Sequence, residues 1–388
     1  MKLEAIIKEI ARKSGAALVG IASKERLEKA PPSGDVTYLL PSAESVISFA
    51  LPINEKSIDE YFGKQKWLEF WAEFRPIDQT LYKVADRLHE YLESRGYESR
   101  VVDLNMVYRP EPGGTGATIR TLYLPDFSHR YAAVAAGVGW LGWSGNLITE
   151  DYGANVLLGS VLTSAKLTPD PMLTDHPDRC SDCRICFSVC PSGYFRSKES
   201  VSVVIGGKEW VYAKRGTPMR CGITCNGYHG ISQNGRWSTW SPYRLPKGLS
   251  IENEELDNIS RRVRTADPYK QQVGDCSQRE FCFDPSLAYM DTCANCQFVC
   301  AVEKNIRKKY RNTLIKSGIV ALTASGKRIP LGGDDVMWLD TPYDIQVAVP
   351  KKEKSLFLDH KLELYKCENE AEYPLDAVIL SYFSGQKK

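Results

Sequence analysis

The chain has 388 residues, of which 43% are hydrophobic and 25% charged, as is ordinary for a globular protein of two or three domains. Its formal net charge of +2 excludes a global electrostatic demand for nucleic acid, a membrane surface or an acidic substrate. No apolar run is long enough to cross a membrane, and the N-terminus has no signal core, so we expect a cytoplasmic protein with no membrane partner.

The N-terminal part of the chain alternates between helical and strand patterns. Residues 1–14 place four apolar side chains on one helical face, and Gly15 can end that helix. The pattern then predicts buried strands at 16–22 and 45–51, a long amphipathic helix at 78–95 and a short strand at 100–104. This alternation indicates an α/β layered domain.

Two glycine-rich stretches follow. Residues 108–127 form a long connection rich in glycine, proline and aromatic side chains, which is typical of a lid or binding loop. Ser128 can cap a helix that runs from about His129 to Ala136. Residues 137–163 then contain a cluster of glycines and a strand at 155–162.

The glycines of the second stretch allow several interpretations. Gly137, Gly139 and Gly142 spell GxGxxG, but they follow a helix where a dinucleotide fingerprint needs a preceding strand. Glycine lets the backbone approach another group closely, and that group could be a ligand. A set of tight turns in the core is the alternative.

Cysteine spacing is the strongest signal in the sequence. Eleven of the 12 cysteines lie between Cys180 and Cys300. A C-x2-C-x2-C-x3-C run followed by Pro191 has the spacing of bacterial ferredoxins, and a second group lies about a hundred residues further on. The two cysteine groups predict two 4Fe–4S clusters. The first group comprises Cys180, Cys183, Cys186 and Cys190, and the second comprises Cys293, Cys296 and Cys300.

Zinc and disulfides are the competing explanations for these cysteines. A zinc ribbon uses two C-x2-C pairs and needs neither the third spaced cysteine nor the proline. Disulfides are rare in the cytoplasm. Both are therefore disfavoured.

The region between the cysteine groups holds an insertion at residues 197–292. Its aromatic stretch 236–246 includes arginines and could stack nucleic-acid bases, although packing is the simpler interpretation. Beyond the second group, residues 314–331 predict a hairpin turning near Ser325 and Gly326, and 344–350 predict a further strand. Cys367 stands alone and is interpreted as structural.

Three segments together resemble the corrinoid-dependent iron–sulfur reductases, which comprise epoxyqueuosine reductases and reductive dehalogenases. LPSAESVISFALP at 40–52 is similar to the N-terminal region of epoxyqueuosine reductases. Residues 129–163 are similar to both branches, with GVGWLG nearer to the former and SGNLITEDYG nearer to the dehalogenases. Both branches share the paired cysteine groups.

The resemblance implies an α+β fold in three parts. A nitroreductase-like α/β core at 1–168 would hold cobalamin. A ferredoxin-like double 4Fe–4S domain would occupy 169–312, interrupted by the insertion at 197–292. A β-rich C-terminal extension would occupy 313–388.

It also implies a division of the ligands. Cys180, Cys183, Cys186 and Cys300 would hold one cluster, and Cys190, Cys293 and Cys296 would hold three corners of the other. The fourth corner is assigned to Cys221, with Cys225 in reserve and Cys276 and Cys282 as third choice.

Candidate catalytic and cofactor residues follow by the same carry-over. Counting back from Gly137 to the position of the catalytic aspartate in epoxyqueuosine reductases gives Tyr123, with Asp126 and His129 as alternatives. Arg130 could steady an anionic substrate or a corrinoid propionamide. The remaining residues assigned to the corrinoid are Gly137, Gly139, Trp140, Gly142, Ser144, Gly145, Asn146 and Leu147.

We therefore expect a reductase in which two clusters, fed by a low-potential donor such as ferredoxin or flavodoxin, reduce cobalamin cobalt. The expected substrate is a small organic molecule. Epoxyqueuosine reduction on tRNA is the alternative, disfavoured by Tyr123 and by the β-rich tail. An electron carrier, or an activator of a corrinoid protein that binds no corrinoid itself, is the alternative from another class.

Overall fold

The computed structural model describes residues 2–104, 109, 125–216, 218–225, 227–246, 293–341 and 345–358. Tyr123, Cys276, Cys282 and Cys367 lie outside the described residues, so what the sequence predicts for them stays a prediction. The N-terminal elements, in chain order, are α1 (Leu3–Ser14), β1 (Leu18–Ser23), β2 (Ser45–Pro52), α2 (Glu55–Phe62), α3 (Leu68–Ala72), α4 (Phe74–Ser94), β3 (Ser99–Val101), α5 (His129–Ala135), β4 (Trp140–Leu141), β5 (Leu147–Ile148) and β6 (Val156–Thr163).

A four-stranded sheet with the order β1-β2-β6-β3 forms the centre of this part. Every pair in it is antiparallel. β2 and β6 pair along their whole length, from Ser45 opposite Thr163 to Pro52 opposite Val156. All of β2 except its last residue is buried, so both faces of the sheet are covered.

Alternate residues of β2 point into two separate cores. Ile47 and Phe49 pack with the apolar faces of α1 and α4, which together cover one side of the sheet. Val46 and Ala50 pack with the alanine-rich helix α5, which covers the other side. The predicted α/β layering is confirmed, because helices cover both sides of the central sheet in a mixed α/β fold.

The structure confirms the predicted start of α5 and corrects the predicted start of α4. The hydroxyl of Ser128 accepts a hydrogen bond from the N–H of Tyr131, so Ser128 caps α5 as predicted. α4 begins at Phe74 and not at Asp78 as predicted. Pro76 lies in its first turn, where a missing N–H costs nothing because that N–H has no helical partner.

The cysteine region and the C-terminal part follow. Their elements are α6 (Ile185–Ser188), β7 (Phe195–Ile205), β8 (Lys208–Arg215), α7 (Pro218–Cys225), β9 (Tyr243–Arg244), α8 (Asn295–Phe298), α9 (Lys304–Lys316), β10 (Ile319–Leu322), β11 (Arg328–Leu331), β12 (Val336–Asp340), β13 (Gln346–Pro350) and α10 (Lys354–Leu358). β7 and β8 form a hairpin within the predicted insertion.

The predicted hairpin of the tail is confirmed as β10 and β11, with Gly326 in its turn at φ +82°. Its first predicted residues belong instead to α9. β13 pairs with β12 and also with β9, so the aromatic stretch 236–246 joins a sheet of the C-terminal part. Trp237, Trp240 and Tyr243 are buried, which confirms packing as the role of these aromatic side chains.

One aromatic core joins the parts of the chain. Tyr61 and Trp71 from the N-terminal part pack with Trp240, with Phe298 of the second cysteine group and with Tyr310 of α9. Among the residues that the structure describes, no helix combines the length and the apolar character needed to cross a membrane.

Candidate iron–sulfur and cofactor site

Asp178 builds the loop that carries Cys180. Its carboxylate accepts hydrogen bonds from the N–H groups of Cys180 and Ser181, each at 3.0 Å, and these bonds hold the pKa of Asp178 below its usual range. The N–H of Trp143 donates to Sγ of Cys180 at 3.3 Å. The loop is thereby fixed against the turn that contains Trp143.

A glycine turn brings Cys300 to the same place. A Cβ on Gly153, which has φ +60°, would lie 2.1 Å from the carbonyl oxygen of Cys300. The N–H of Ala154 donates to that same oxygen at 2.8 Å. Only glycine permits this approach, so the SGNLITEDYG motif positions the second cysteine group against the first.

The first four predicted ligands line one narrow cavity. Cys180, Cys183, Cys186 and Cys300 all border it. Burial, with the charges of Cys180 and Cys183, raises the pKa of the Cys300 thiol to about 12. Burial also raises the pKa of Cys186, followed by the charges of Cys296, Cys300, Cys180 and Cys183. Four thiols that repel one another's charge in a buried cavity favour a cationic occupant.

Hydrogen-bond donors without acceptors surround this cavity. Within the described structure, Nε1 of Trp143, Nη1 of Arg184 and Nε of Arg307 are buried and lack a partner, and all three residues line the cavity. A buried unsatisfied donor costs about 1–3 kcal/mol. The sulfides and thiolates of a bound cluster accept N–H groups, so the donor set fits an iron–sulfur cluster.

A second set of thiols lies beside the first. Burial raises the pKa of Cys293 well above its usual range, and the charges of Cys190, Cys221 and Cys296 add to that effect. Burial raises the pKa of Cys296 to about 12, with Cys221 and Cys190 contributing next. The structure therefore gathers the four cysteines assigned to the other cluster.

Cys225 lies one helical turn from Cys221 on α7. The two sulfurs are 3.8 Å apart, and the Cys225 thiol donates to the carbonyl oxygen of Cys293 at 3.1 Å. The contact between the two thiols lowers the pKa of Cys221 against the effect of burial, and the charges of Arg215 and Arg130 lower it as well.

The described residues contain no group of three or more His, Cys, Asp or Glu side chains close enough to hold a single metal ion. A cubane does not need such proximity, because its irons occupy separate corners. The nine described cysteines are all free thiols.

Two arginines adjoin the second set of thiols. Arg130 donates to the carbonyl oxygen of Gly145 at 2.9 Å, and Arg215 donates to that of Ser144 at 2.7 Å. Neither guanidinium forms an ion pair within the described part of the chain. Burial and the charge of Arg215 lower the pKa of Arg130, so the two cations share a half-buried site that carries no compensating carboxylate there.

Polar groups extend this surface. Nδ2 of Asn146 lies 3.7 Å from Sγ of Cys296, and the guanidinium of Arg215 lies 5.3 Å from the ring of Tyr212 and 5.9 Å from that of Tyr194. Amide and hydroxyl groups suit the amide side chains of a corrinoid. Contact of Arg130, Asn146 and Arg215, the residues of this surface, with a cofactor is not shown by the structure.

The predicted cofactor glycines pack against protein. A Cβ on Gly137 would lie 2.1 Å from the carbonyl oxygen of Pro171, and one on Gly139 would lie 2.3 Å from that of Ile148. Gly142 also packs on Ile148, and a Cβ on Gly145 would meet Arg215. Trp140 and Leu147 are buried in the same core. These residues shape the site from within, and their direct contact with a corrinoid stays a prediction.

Two of the three candidate acids lie within the described structure. Nδ1 of His129 bonds with the hydroxyl of Ser160 and Nε2 with the carbonyl oxygen of Asp103, both at 2.9 Å. Both ring nitrogens are occupied, which suits a structural role at the start of α5. Burial raises the pKa of Asp126 against the opposing charge of Arg109, so Asp126 keeps its proton at higher pH than an ordinary aspartate.

Sequence reasoning missed several residues of the site. Trp143 and Arg184 lie inside motifs that the sequence analysis identified. Only the structure shows that their side-chain N–H groups are buried without a hydrogen-bond acceptor. Arg215 ends the hairpin of the insertion, and Lys64 follows α2, both far from any motif.

The chain is similar in sequence to epoxyqueuosine reductases, although no family model matches it. The chain is 30% identical over 165 residues to an epoxyqueuosine reductase of Synechocystis sp., covering 42% of this chain and 49% of that protein. It is 30% identical over 193 residues to the epoxyqueuosine reductase of Gloeobacter violaceus, covering 49% and 54%. The chain thus spans about half the length of the curated relatives it matches.

Solved structures give weaker overlays. An epoxyqueuosine reductase with a modified tRNA stem loop is 20% identical, with 59% of this chain and 58% of that chain covered and a TM-score of 0.36. A reductive dehalogenase, described as suggesting a mechanism for B12-dependent dehalogenation, is 15% identical, with 74% and 37% covered and a TM-score of 0.41. Superpositions of this quality do not carry the assignment, which rests on the sequence matches.

Proposed function

We propose that this chain, which belongs to the superfamily of epoxyqueuosine reductases and reductive dehalogenases, is an oxidoreductase with two 4Fe–4S clusters and a corrinoid. The observation that supports the proposal is the proximity of eight cysteines: four border one cavity, and the other four lie close enough to influence one another's pKa. The first set is Cys180, Cys183, Cys186 and Cys300, and the second set is Cys190, Cys221, Cys293 and Cys296.

The two sets would hold the clusters, and the surface of Arg130, Asn146 and Arg215 would face the corrinoid. When bound, the clusters supply single electrons at low potential and the corrinoid supplies a strongly reducing cobalt centre. The protein supplies position and electrostatics. Trp143, Arg184 and Arg307 line the cavity of the first set and have buried N–H groups without acceptors in the described structure, so they would lower the cost of holding negative charge there.

The substrate that the relatives favour is epoxyqueuosine in tRNA, the runner-up of the sequence analysis. The curated relatives reported above are all epoxyqueuosine reductases. Reduction of an epoxide to an alkene consumes two electrons and two protons and releases water. Tyr123 and Asp126 are the candidate proton donors, and the proton that Asp126 retains through burial suits that role.

A small organic substrate is the second candidate. It is favoured by Tyr123, which stands where the resemblance places an aspartate in epoxyqueuosine reductases, and by the β-strands of the tail. The two substrates differ in charge and size, so binding distinguishes them directly.

The test is anaerobic preparation with cobalamin supplied, followed by metal analysis and an assay. We expect about eight irons and eight sulfides per chain, a co-purifying corrinoid, and conversion of epoxyqueuosine to queuosine in tRNA, measured by mass spectrometry of digested nucleosides. Zinc in place of iron would overturn the cluster assignment. Clusters without a corrinoid would favour the electron carrier. Corrinoid and clusters without tRNA binding at moderate salt would favour the small substrate.

A further inference from the structure

Lys64 occupies an unfavourable backbone position at the end of α2. The N–H of Gln65 bonds to the carbonyl oxygen of Glu60 and that of Lys64 to Tyr61, so Lys64 is the C′ residue of a Schellman motif. Its φ is +57°, in the left-handed region that glycine adopts without strain. A lysine here costs about 1 kcal/mol relative to glycine, so some other interaction must favour it.

The side chain of Lys64 is buried and lacks a hydrogen-bond partner among the described residues. Its relative exposure is 6%, and Nζ makes no hydrogen bond or ion pair within the described structure. Nζ lies 5.6 Å from the centre of the Trp240 ring, at the outer limit of a cation–π contact. Burial of an unpaired ammonium is costly, so the ring alone does not explain the residue.

Lys64 lies beside the second set of thiols, because Trp240 packs in one core with Val189, next to Cys190, and with Ala294, next to Cys293. Burial lowers the pKa of Lys64 to about 7, and the charge that opposes this effect is that of Cys293. Cys293 is itself buried among Cys190, Cys221 and Cys296. A buried ammonium without a hydrogen-bond partner is stabilised by nearby negative charge, and a cluster held by the second set would supply that charge.

We propose that the ammonium group of Lys64 is the counter-charge of the second set, and that it raises the reduction potential of the cluster held there. The inference rests on the proposed function in one respect, that a cluster occupies the second set. Addition of one electron, from a donor such as dithionite, places one more negative charge on that cluster. A buried cation stabilises the added charge more than water-screened groups do.

Lys64, from the N-terminal part of the chain, would then influence electron transfer through the potential of the second cluster. A purely structural role of Lys64 predicts a different result. Arg328 stacks on Trp67 at 4.1 Å, and Trp67 stacks on Trp240 at 6.0 Å, so the tryptophan pair has a cation at each end. If Lys64 only supports this stack, its loss should change stability and leave the potential unmoved.

The test is an anaerobic redox titration of the loaded protein, followed by electron paramagnetic resonance. In Lys64→Met and Lys64→Gly we expect one of the two cluster potentials to fall while the other stays in place as an internal reference. Glycine suits φ +57°, so the second variant separates loss of charge from backbone strain. Lys64→Arg should restore the potential.

Two controls define the result. Lys66→Met removes an exposed lysine two residues away that pairs with Glu60, and Arg328→Met removes the cation at the other end of the tryptophan stack. Neither should move a potential. Potentials that are unchanged in both Lys64 variants, or that fall together for both clusters, would overturn the proposal. Failure of the wild-type chain to load clusters would overturn the proposed function instead.

Discussion

At the scale of single residues, hydrogen bonding distinguishes Cys221 from Cys225. The thiol of Cys225 donates to the backbone of Cys293, whereas the contact with Cys225 and the charges of Arg215 and Arg130 lower the pKa of Cys221. Metal ligation requires the thiolate. Cys221 also adds to the charge that acts on Cys190 and Cys296. These observations favour Cys221 as the fourth ligand of the second cluster.

We therefore expect Cys221→Ser to lose about half of the iron, because three thiolates hold a cubane poorly. Cys225→Ser, its matched control on the same helix, should keep the full iron content. Iron and sulfide analysis after anaerobic reconstitution measures both. Loss of iron from Cys225→Ser alone would show that the reserve ligand is the true one.

At the scale of elements, the turn between β5 and β6 acts as a clamp on the second cysteine group. Gly153 closes against the carbonyl oxygen of Cys300, and Ala154 bonds to that same oxygen. Gln297 of α8 donates to the carbonyl oxygen of Val156 in β6 at 2.9 Å. The central sheet thereby fixes the position of a ligand that lies far away in sequence.

Gly153→Ala should displace Cys300 and lower the iron content and the melting temperature together, because its Cβ would collide with backbone and because φ is +60°. Gly207→Ala is the matched control, since it shares a positive φ of +77° and its Cβ would meet nothing within 4 Å. Strain alone should cost about 1 kcal/mol of stability and leave the iron in place. Equal iron loss in the two variants would contradict the clamp.

The sequence predicted these elements unevenly, for physical reasons. Strands β1, β2 and β6 and helix α5 were anticipated because apolar periodicity and the cap at Ser128 are local signals. The pairing of β9 with β13 was missed because it joins segments far apart in sequence. The same holds for Lys64, whose side chain lies over the ring of Trp240, far away in sequence. The close approach of the glycines was expected, but not that Ile148 and Cys300 would be their neighbours.

At the scale of the whole molecule, each set of four thiols draws on distant segments. Cys300 joins a loop built on Asp178, and Cys221 of the insertion joins Cys190 and Cys293. The two bound clusters would therefore cross-link the loop at 180–190, the insertion and the second cysteine group with its helix α8. Such cross-links stabilise the folded state because the unfolded chain does not hold the ligands together.

Removal of iron should therefore lower the melting temperature of the entire described fold and not only of the cysteine loops. The effect should depend on pH with a definite sign. Burial raises the pKa of Cys296 and of Cys300 to about 12, so the metal-free thiols are protonated at neutral pH and cluster binding releases their protons. Proton release favours binding at higher pH, so the gap in stability between loaded and iron-free protein should widen from pH 6 to pH 8.

Anaerobic thermal unfolding of both forms at several pH values measures this gap. Cys225→Ser serves as a control, because it lowers the thiol count and keeps all eight proposed ligands. Equal melting temperatures for the two forms would mean that the thiol sets are not cross-links. A gap that narrows toward pH 8 would mean that the ligands are already ionised without metal, in conflict with their burial among like charges.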